Sequence, residues 1–120
     1  MKRIMVLAAT VAVASGAFAG IAGASSAAAP KPATLTAAQK AAGRAAWKKA
    51  GCSGCHALAA TGGTGTRGPN LDGLYFPVAD MIRQITNGGG YMPSFREILE
   101  PAEIKQLAAY IDAVRLIKAP

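Results

Sequence analysis

An all-α fold is predicted for this 120-residue chain, on three observations. Helix signals recur in three windows: a capping pattern ahead of Ala37, an apolar stripe from Val78 to Ile85, and a longer stripe from Ile104 to Val114. The stretches between them are rich in glycine, proline and threonine, the residues of loops. No run alternates apolar and polar residues well enough to read as a strand. The length suits one small domain.

The first residues are not part of that domain. Met1-Lys2-Arg3 is a basic start, and Ile4 through Phe18 is an apolar, alanine-rich run. Ala22-Gly23-Ala24 and Ala27-Ala28-Ala29 follow as small-residue cleavage sites. Residues 1–29 therefore read as a secretory signal peptide and the start of a linker, cut between 24 and 29, with a domain over 30–120. A retained membrane anchor is the alternative, but a permanent span calls for a more strongly apolar run. The 52% hydrophobic composition is inflated by this leader. Without Lys2 and Arg3 the basic count falls from 13 to 11 against 6 acidic residues, leaving +5. Export predicts a periplasmic protein.

Thr36-x-x-Gln39 is a capping box that starts a helix over about Ala37 to Ala50, stopped at Gly51. Gly43 interrupts it at a cost of about 1 kcal/mol relative to Ala, which a close backbone crossing would justify. Trp47 is expected to pack in the core. Ala57 to Asn70 reads as loop. Pro77 suits the first position of a second helix, whose apolar face is Val78, Met81, Ile82 and Ile85. Asn87-Gly88-Gly89-Gly90 ends it. The last helix opens near Glu100, with Pro101 at its start and Glu103 in its first turn. Ile104, Leu107, Ala108, Ile111 and Val114 form its stripe, and Arg115 and Lys118 lie where the helix dipole favours cations.

The chemistry sits at Cys52-Ser53-Gly54-Cys55-His56, a Cys-x-x-Cys-His sequence with the c-type haem attachment spacing. Two thiols at that spacing can add to the two vinyl groups of a haem. The adjacent imidazole of His56 can then bind the iron axially. A thioredoxin-like pair would need a βαβ context, and a zinc site would need further ligands. The chain has only 2 Cys and 1 His, all in this motif. A structural disulfide is the remaining bland reading.

The sixth iron position could take water, a gas, a lysine, another nitrogen base or a methionine. Met1 and Met5 leave with the leader, and Met81 lies on an apolar helix face. Met92 sits between a glycine run and Pro93, where the backbone can bring a thioether to a ring and hold it. Met92 is therefore the expected ligand, against the plainer role of filling a gap. His56 with Met92 would make six-coordinate iron of raised reduction potential, with no open position for substrate. That favours electron transfer over catalysis.

The chain resembles the small class I, monohaem c-type cytochromes, such as bacterial soluble cytochromes c and cytochrome c6. The resemblance spans the whole mature domain. It rests on Gly43-x-x-x-Trp47 ahead of the motif, Gly68-Pro69-Asn70-Leu71, Thr86-Asn87-Gly88 leading to Met92-Pro93-Ser94-Phe95, and Leu107-Ala108-Ala109-Tyr110. It implies N- and C-terminal helices that cross at the glycine over one covalent haem, and it implies that the Pro69 carbonyl accepts the His56 N–H. Two features depart from the family. Glu100-Pro101 stands where Ser-Asp or Thr-Asp is usual, and the loop from Ala57 to Arg67 carries no subfamily mark.

The function expected from the resemblance is electron transfer by a mobile periplasmic carrier, not an enzyme. Its partners are expected to be redox proteins with acidic docking surfaces facing Lys48, Lys49, Arg67 and Arg96, with no nucleic acid, membrane contact only through partner complexes, and a monomeric state. A dedicated haem subunit of a periplasmic oxidoreductase complex is the alternative. A five-coordinate gas sensor or peroxidase-like haem would require that Met92 not bind.

Overall fold

The computed structural model describes residues 34–118. The expected leader over 1–29, with its cleavage between 24 and 29, lies outside the described residues.

Three helices follow the sequence signals: α1 over Ala37–Lys49, α2 over Val78–Asn87 and α3 over Pro101–Val114. The capping box forms as read. Thr36 Oγ1 accepts from the Gln39 N–H at 3.1 Å, and Gln39 Oε1 accepts from the Thr36 N–H at 2.8 Å. Gly51, at φ 67°, turns the chain away after α1.

Gly43 is where α1 and α3 meet. A Cβ at this position would lie 2.2 Å from Tyr110 Cβ and 3.1 Å from the Gln106 carbonyl oxygen. The approach is fastened on both sides. Lys49 Nζ reaches the Glu103 carboxylate at 2.8 Å and 3.0 Å, and Gln106 Nε2 donates to the Gln39 carbonyl at 2.9 Å. The hydrogen bond from Lys49, and then that from the Glu100 N–H, hold the Glu103 carboxyl below its usual value of 4.5. Replacing a mid-helix Gly by Ala ordinarily stabilises by about 1 kcal/mol. Here Gly43→Ala is expected to destabilise by ~1–3 kcal/mol, the usual cost of overpacking. A thermal melt of the holoprotein checks this, and an unchanged or raised midpoint would refute the close crossing.

The second helix differs slightly from expectation. Pro77 is its cap and not its first residue, with extended backbone (ψ 142°) and a carbonyl that accepts from the Met81 N–H at 3.1 Å. The fixed φ of proline suits either position, so composition does not separate them. Met81 and Ile85 are buried and Val78 and Ile82 partly so, as the periodicity requires.

The third helix shows how Glu100-Pro101 replaces the usual opening. Glu100 is the cap, Pro101 the first helical residue, and Glu103 accepts from the Glu100 N–H at 2.8 Å. At the other end Lys118 Nζ donates to the carbonyls of Asp112 and Ala113, at 3.0 and 2.8 Å. Arg115, the other cation at this end, is not a solvated charge. It is 1% exposed, paired with Asp112, and stacked 4.7 Å from the Tyr75 ring centre. A buried guanidinium needs such partners: Asp112 stands one turn back on α3, while Tyr75 comes from a distant loop that sequence spacing does not reveal.

The stretch from Ala57 to Asn70 is not all loop. β1 (Ala57–Leu58) pairs antiparallel with β2 (Gly63–Thr64), in the register Ala57 to Thr64 and Leu58 to Gly63. Two residues a side are too few for a period-2 pattern to register in the sequence. Asp72 fastens this region: Oδ2 accepts from the Ala59 N–H at 2.7 Å and Oδ1 from the Leu116 N–H at 3.1 Å. The core is built from Trp47, Leu58, Met81, Ile85, Phe95, Leu99 and the α3 stripe.

Candidate functional site

After Gly51, a 3-10 turn over Cys52–Gly54 opens the motif. The Cys52 carbonyl accepts from both the Cys55 N–H at 3.1 Å and the His56 N–H at 2.9 Å. In such a turn side chains three apart eclipse one another, which brings Cys52 and Cys55 to one side. Both thiols are free and half-buried. Burial pushes the Cys52 thiol up to about 11, so it is neutral at pH 7. Trp47 does more than pack: its Nε1–H donates to Ser53 Oγ at 2.7 Å, tying the motif to α1.

The glycines of the following loop belong to the site because the chain crowds against the motif there. A Cβ at Gly65 would lie 2.5 Å from the Cys55 carbonyl carbon, and one at Gly68 would lie 2.5 Å from His56 Cε1. The Gly68 N–H donates to the Cys55 carbonyl at 2.8 Å. The next residue, Pro69, has its carbonyl oxygen 2.9 Å from His56 Nδ1. A carbonyl only accepts, so Nδ1 carries the proton. Nε2 is then the unprotonated nitrogen, the one a metal takes.

Cys52, Cys55, His56 and Pro69 thus form one cluster. Met92 is held separately, on the loop after α2. Gly89 and Met92 exchange backbone hydrogen bonds at 2.9 and 3.1 Å. Ser94 Oγ donates to the Thr86 carbonyl at 2.6 Å, and the Phe95 N–H donates to the Ile85 carbonyl at 3.0 Å. The Arg96 guanidinium reaches Thr86 O and Asn87 Oδ1. The loop is therefore folded back on the end of α2. The Met92 side chain is half-buried against the core, whereas its neighbour Tyr91 is fully exposed. Met81 is buried among core side chains, as expected.

These donors fit a haem. The imidazole nitrogen left free at His56 is one donor for a haem iron, whose porphyrin fills most of the other positions. Two free thiols beside the imidazole supply its anchor.

Three helices around a Cys-x-x-Cys-His motif, with a proline carbonyl on the histidine, define a c-type cytochrome of the class I fold. The chain belongs to the family described as cytochrome c oxidase, cbb3-type, subunit III, whose pattern matches residues 38–111. It is similar to the cbb3-type cytochrome c oxidase subunit FixP of Sinorhizobium medicae (strain WSM419). The two are 34% identical over an 86-residue alignment covering 60% of this chain and 28% of the relative. This chain therefore spans little more than a quarter of that curated relative. Among solved structures it is similar to the c-type cytochrome SorU from Sinorhizobium meliloti. That match has a TM-score of 0.62 at 34% identity and covers 69% of this chain and 98% of that one. The domain accordingly carries haem c, bound covalently through Cys52 and Cys55, and transfers electrons.

The sequence did not reveal Ser53, Gly65 or Asp72 as supports of the site. Each acts through a tertiary contact, and only the density of glycines between Gly62 and Gly68 hinted at a close approach.

Proposed function

We propose that this protein is a mobile carrier of single electrons in the periplasm, with His56 and Met92 as axial ligands of the haem iron. Bound haem supplies a one-electron Fe(II)/Fe(III) couple. His56 gives Nε2 to the iron while Pro69 fixes its tautomer and ring plane. The Met92 thioether, a soft donor, favours Fe(II) and closes the sixth position, which leaves no place for substrate. The observation that supports this reading is the 2.9 Å contact between His56 Nδ1 and the Pro69 carbonyl, because it leaves Nε2 unprotonated and available to iron. The test is the ferric absorption spectrum. Thioether ligation should give a weak red charge-transfer band, and its absence would favour the gas-sensor or peroxidase-like alternative.

The leader over 1–29 and the domain over 30–120 support export and release into the periplasm, and a monomer is proposed. Partner proteins with acidic surfaces are supported by the excess of basic residues. The docking cations are not equivalent. Lys49 has its charge offset by Glu103 at 2.8 Å. Lys48 and Arg67 are exposed, and Arg96 is oriented by neutral partners and keeps its charge. Lys48, Arg67 and Arg96 are therefore the steering groups, and exposed Tyr91 offers an apolar contact. The association rate with an acidic partner should fall as salt rises and screens these charges. A rate that is flat with ionic strength would remove the steering role.

A second reading has its own support. The family description and the FixP relative are oxidase subunits, which favours a dedicated haem subunit of a periplasmic oxidoreductase complex. Affinity purification of tagged full chain from native cells separates the two. A carrier comes away alone, and a subunit brings its complex in fixed ratio.

A further inference from the structure

Beside the crossing of α1 and α3 lies an open groove of about 350 Å³, lined by Lys40, Ala41 and Arg44 of α1, Tyr110 and Val114 of α3, and Ala60. Its lining includes none of the attachment motif, Met92, Lys48, Arg67 or Arg96. Gly43 shapes it. With no side chain there, Tyr110 sinks against α1, and Lys40 and Arg44 rim the gap. The opposite wall is fixed by Asp72, whose two carboxylate oxygens accept from the Ala59 N–H at 2.7 Å and the Leu116 N–H at 3.1 Å. Ala60 is thereby held against the end of α3. A groove built this way exists before anything enters it, so a partner loses little in ordering it.

The charge of the groove is one-sided. Lys40 and Arg44 are exposed and stand one turn apart on the same helix face. No acidic residue lines the groove. Among the described residues the ion pairs are Lys49–Glu103, Arg83–Asp80 and Arg115–Asp112, which leaves both of these cations unpaired there. Two cations one turn apart over an apolar floor of Ala60, Tyr110 and Val114 complement two carboxylates one turn apart with an aliphatic side chain beside them. That is the pattern of an acidic amphipathic helix laid into a groove. A flat lipid surface would meet the rim and leave the floor unfilled. A second copy of this basic chain would bring like charge.

We propose that the groove between α1 and α3 is a second docking surface, separate from the steering cations, for an acidic amphipathic helix of a partner protein. Carboxylates at i and i+4 of that helix pair with Lys40 and Arg44, and an aliphatic side chain on the same face packs against Ala60, Tyr110 and Val114. A partner seated here covers neither His56 nor Met92. The cytochrome is then held by one protein while it exchanges electrons with another. This holds whichever group is the sixth ligand of the iron.

The test uses the reduced holoprotein and a synthetic alanine-rich helical peptide with Glu at i and i+4 and Leu at i+3 and i+7. Titration should give saturable amide NMR shifts centred on Ala60, Tyr110 and Val114. Moving one Glu to the opposite face of the peptide should weaken binding by up to about fivefold, the worth of one exposed ion pair. Lys40→Glu combined with Arg44→Glu should weaken it roughly tenfold or more, because attraction at both positions becomes repulsion. Both side chains are exposed, so this variant should melt near the wild-type temperature. A peptide with Lys in place of both Glu should bind the double variant more tightly than it binds wild type. Arg67→Glu combined with Arg96→Glu should leave the affinity of the acidic peptide unchanged. Absence of saturable shifts overturns the proposal. So does binding that survives reversal of Lys40 and Arg44, or that is lost on reversal of Arg67 and Arg96. If phosphatidylglycerol vesicles bind through Lys40 and Arg44 and the peptide does not, the face is a lipid contact and the proposal is overturned.

Discussion

Cys52→Ala combined with Cys55→Ala is expected to give a protein that loses haem on dialysis and is largely unfolded without it. The reason is the size of the remaining core. In the described residues a handful of large side chains are fully buried, with Trp47, Leu58, Leu99 and Leu107 the main apolar ones. A core on that scale supplies only about 3–5 kcal/mol in a small domain. Met92 and Cys52 are only partly buried against it, and the motif loop packs on itself through Gly65 and Gly68. With covalent haem in place, this half-buried surface has a permanent apolar partner that cannot dissociate. Without the thioethers, stabilisation depends on free haem concentration and falls by mass action. Either single variant leaves at most one thioether and should hold haem less firmly. The alkaline pyridine spectrum counts the thioethers, and far-UV circular dichroism with a thermal scan reads the fold. A haem-free double variant that still melts cooperatively near the wild-type temperature would show that the polypeptide core suffices.

Much of this architecture could be read from local sequence because the relevant physics is local. The Thr36–Gln39 box and the Pro101 start depend on residues within one turn, and both form where the spacing places them. The reading of Gly43 succeeded for a different reason: a glycine in a strong helix is a local defect that only a tertiary approach explains, and Tyr110 supplies it. What was not legible depends on distant pairs. Arg115 looks like any helix-end cation until the Tyr75 ring from a distant loop covers it. Asp72 looks like a turn residue until its carboxylate is seen holding the N–H groups of Ala59 and Leu116. Lys49 belongs to the docking face by sequence, yet Glu103, 54 positions on, takes its charge. The attachment motif was legible because its chemistry is written in consecutive residues.

Met92→Ala is expected to change the redox chemistry while leaving the fold nearly intact. The loop does not depend on the thioether for its shape. Its backbone is held by the Gly89–Met92 pair of hydrogen bonds, and Ser94, Phe95 and Arg96 anchor it to α2. Truncating a half-buried side chain should therefore cost stability only modestly, below the ~2–5 kcal/mol typical of a fully buried Met. The iron, on the proposed ligation, loses its soft ligand. Water or a lysine amine taking the position is harder and favours Fe(III), so the potential should drop by on the order of 0.1 V, a fraction of the ~0.8 V that axial ligands span. A weakly held sixth position should also bind carbon monoxide in the reduced state, which the wild type should do poorly. Met81→Leu is the control, since Met81 is 8% exposed within the core and the swap conserves volume. It should cost under about 1.5 kcal/mol and leave spectrum and potential unchanged. If Met81→Leu abolishes the red band while Met92→Ala keeps it, the ligand is the other methionine. If neither variant alters the band, the iron is not held by thioether sulfur, and closure of the sixth position must come from another group.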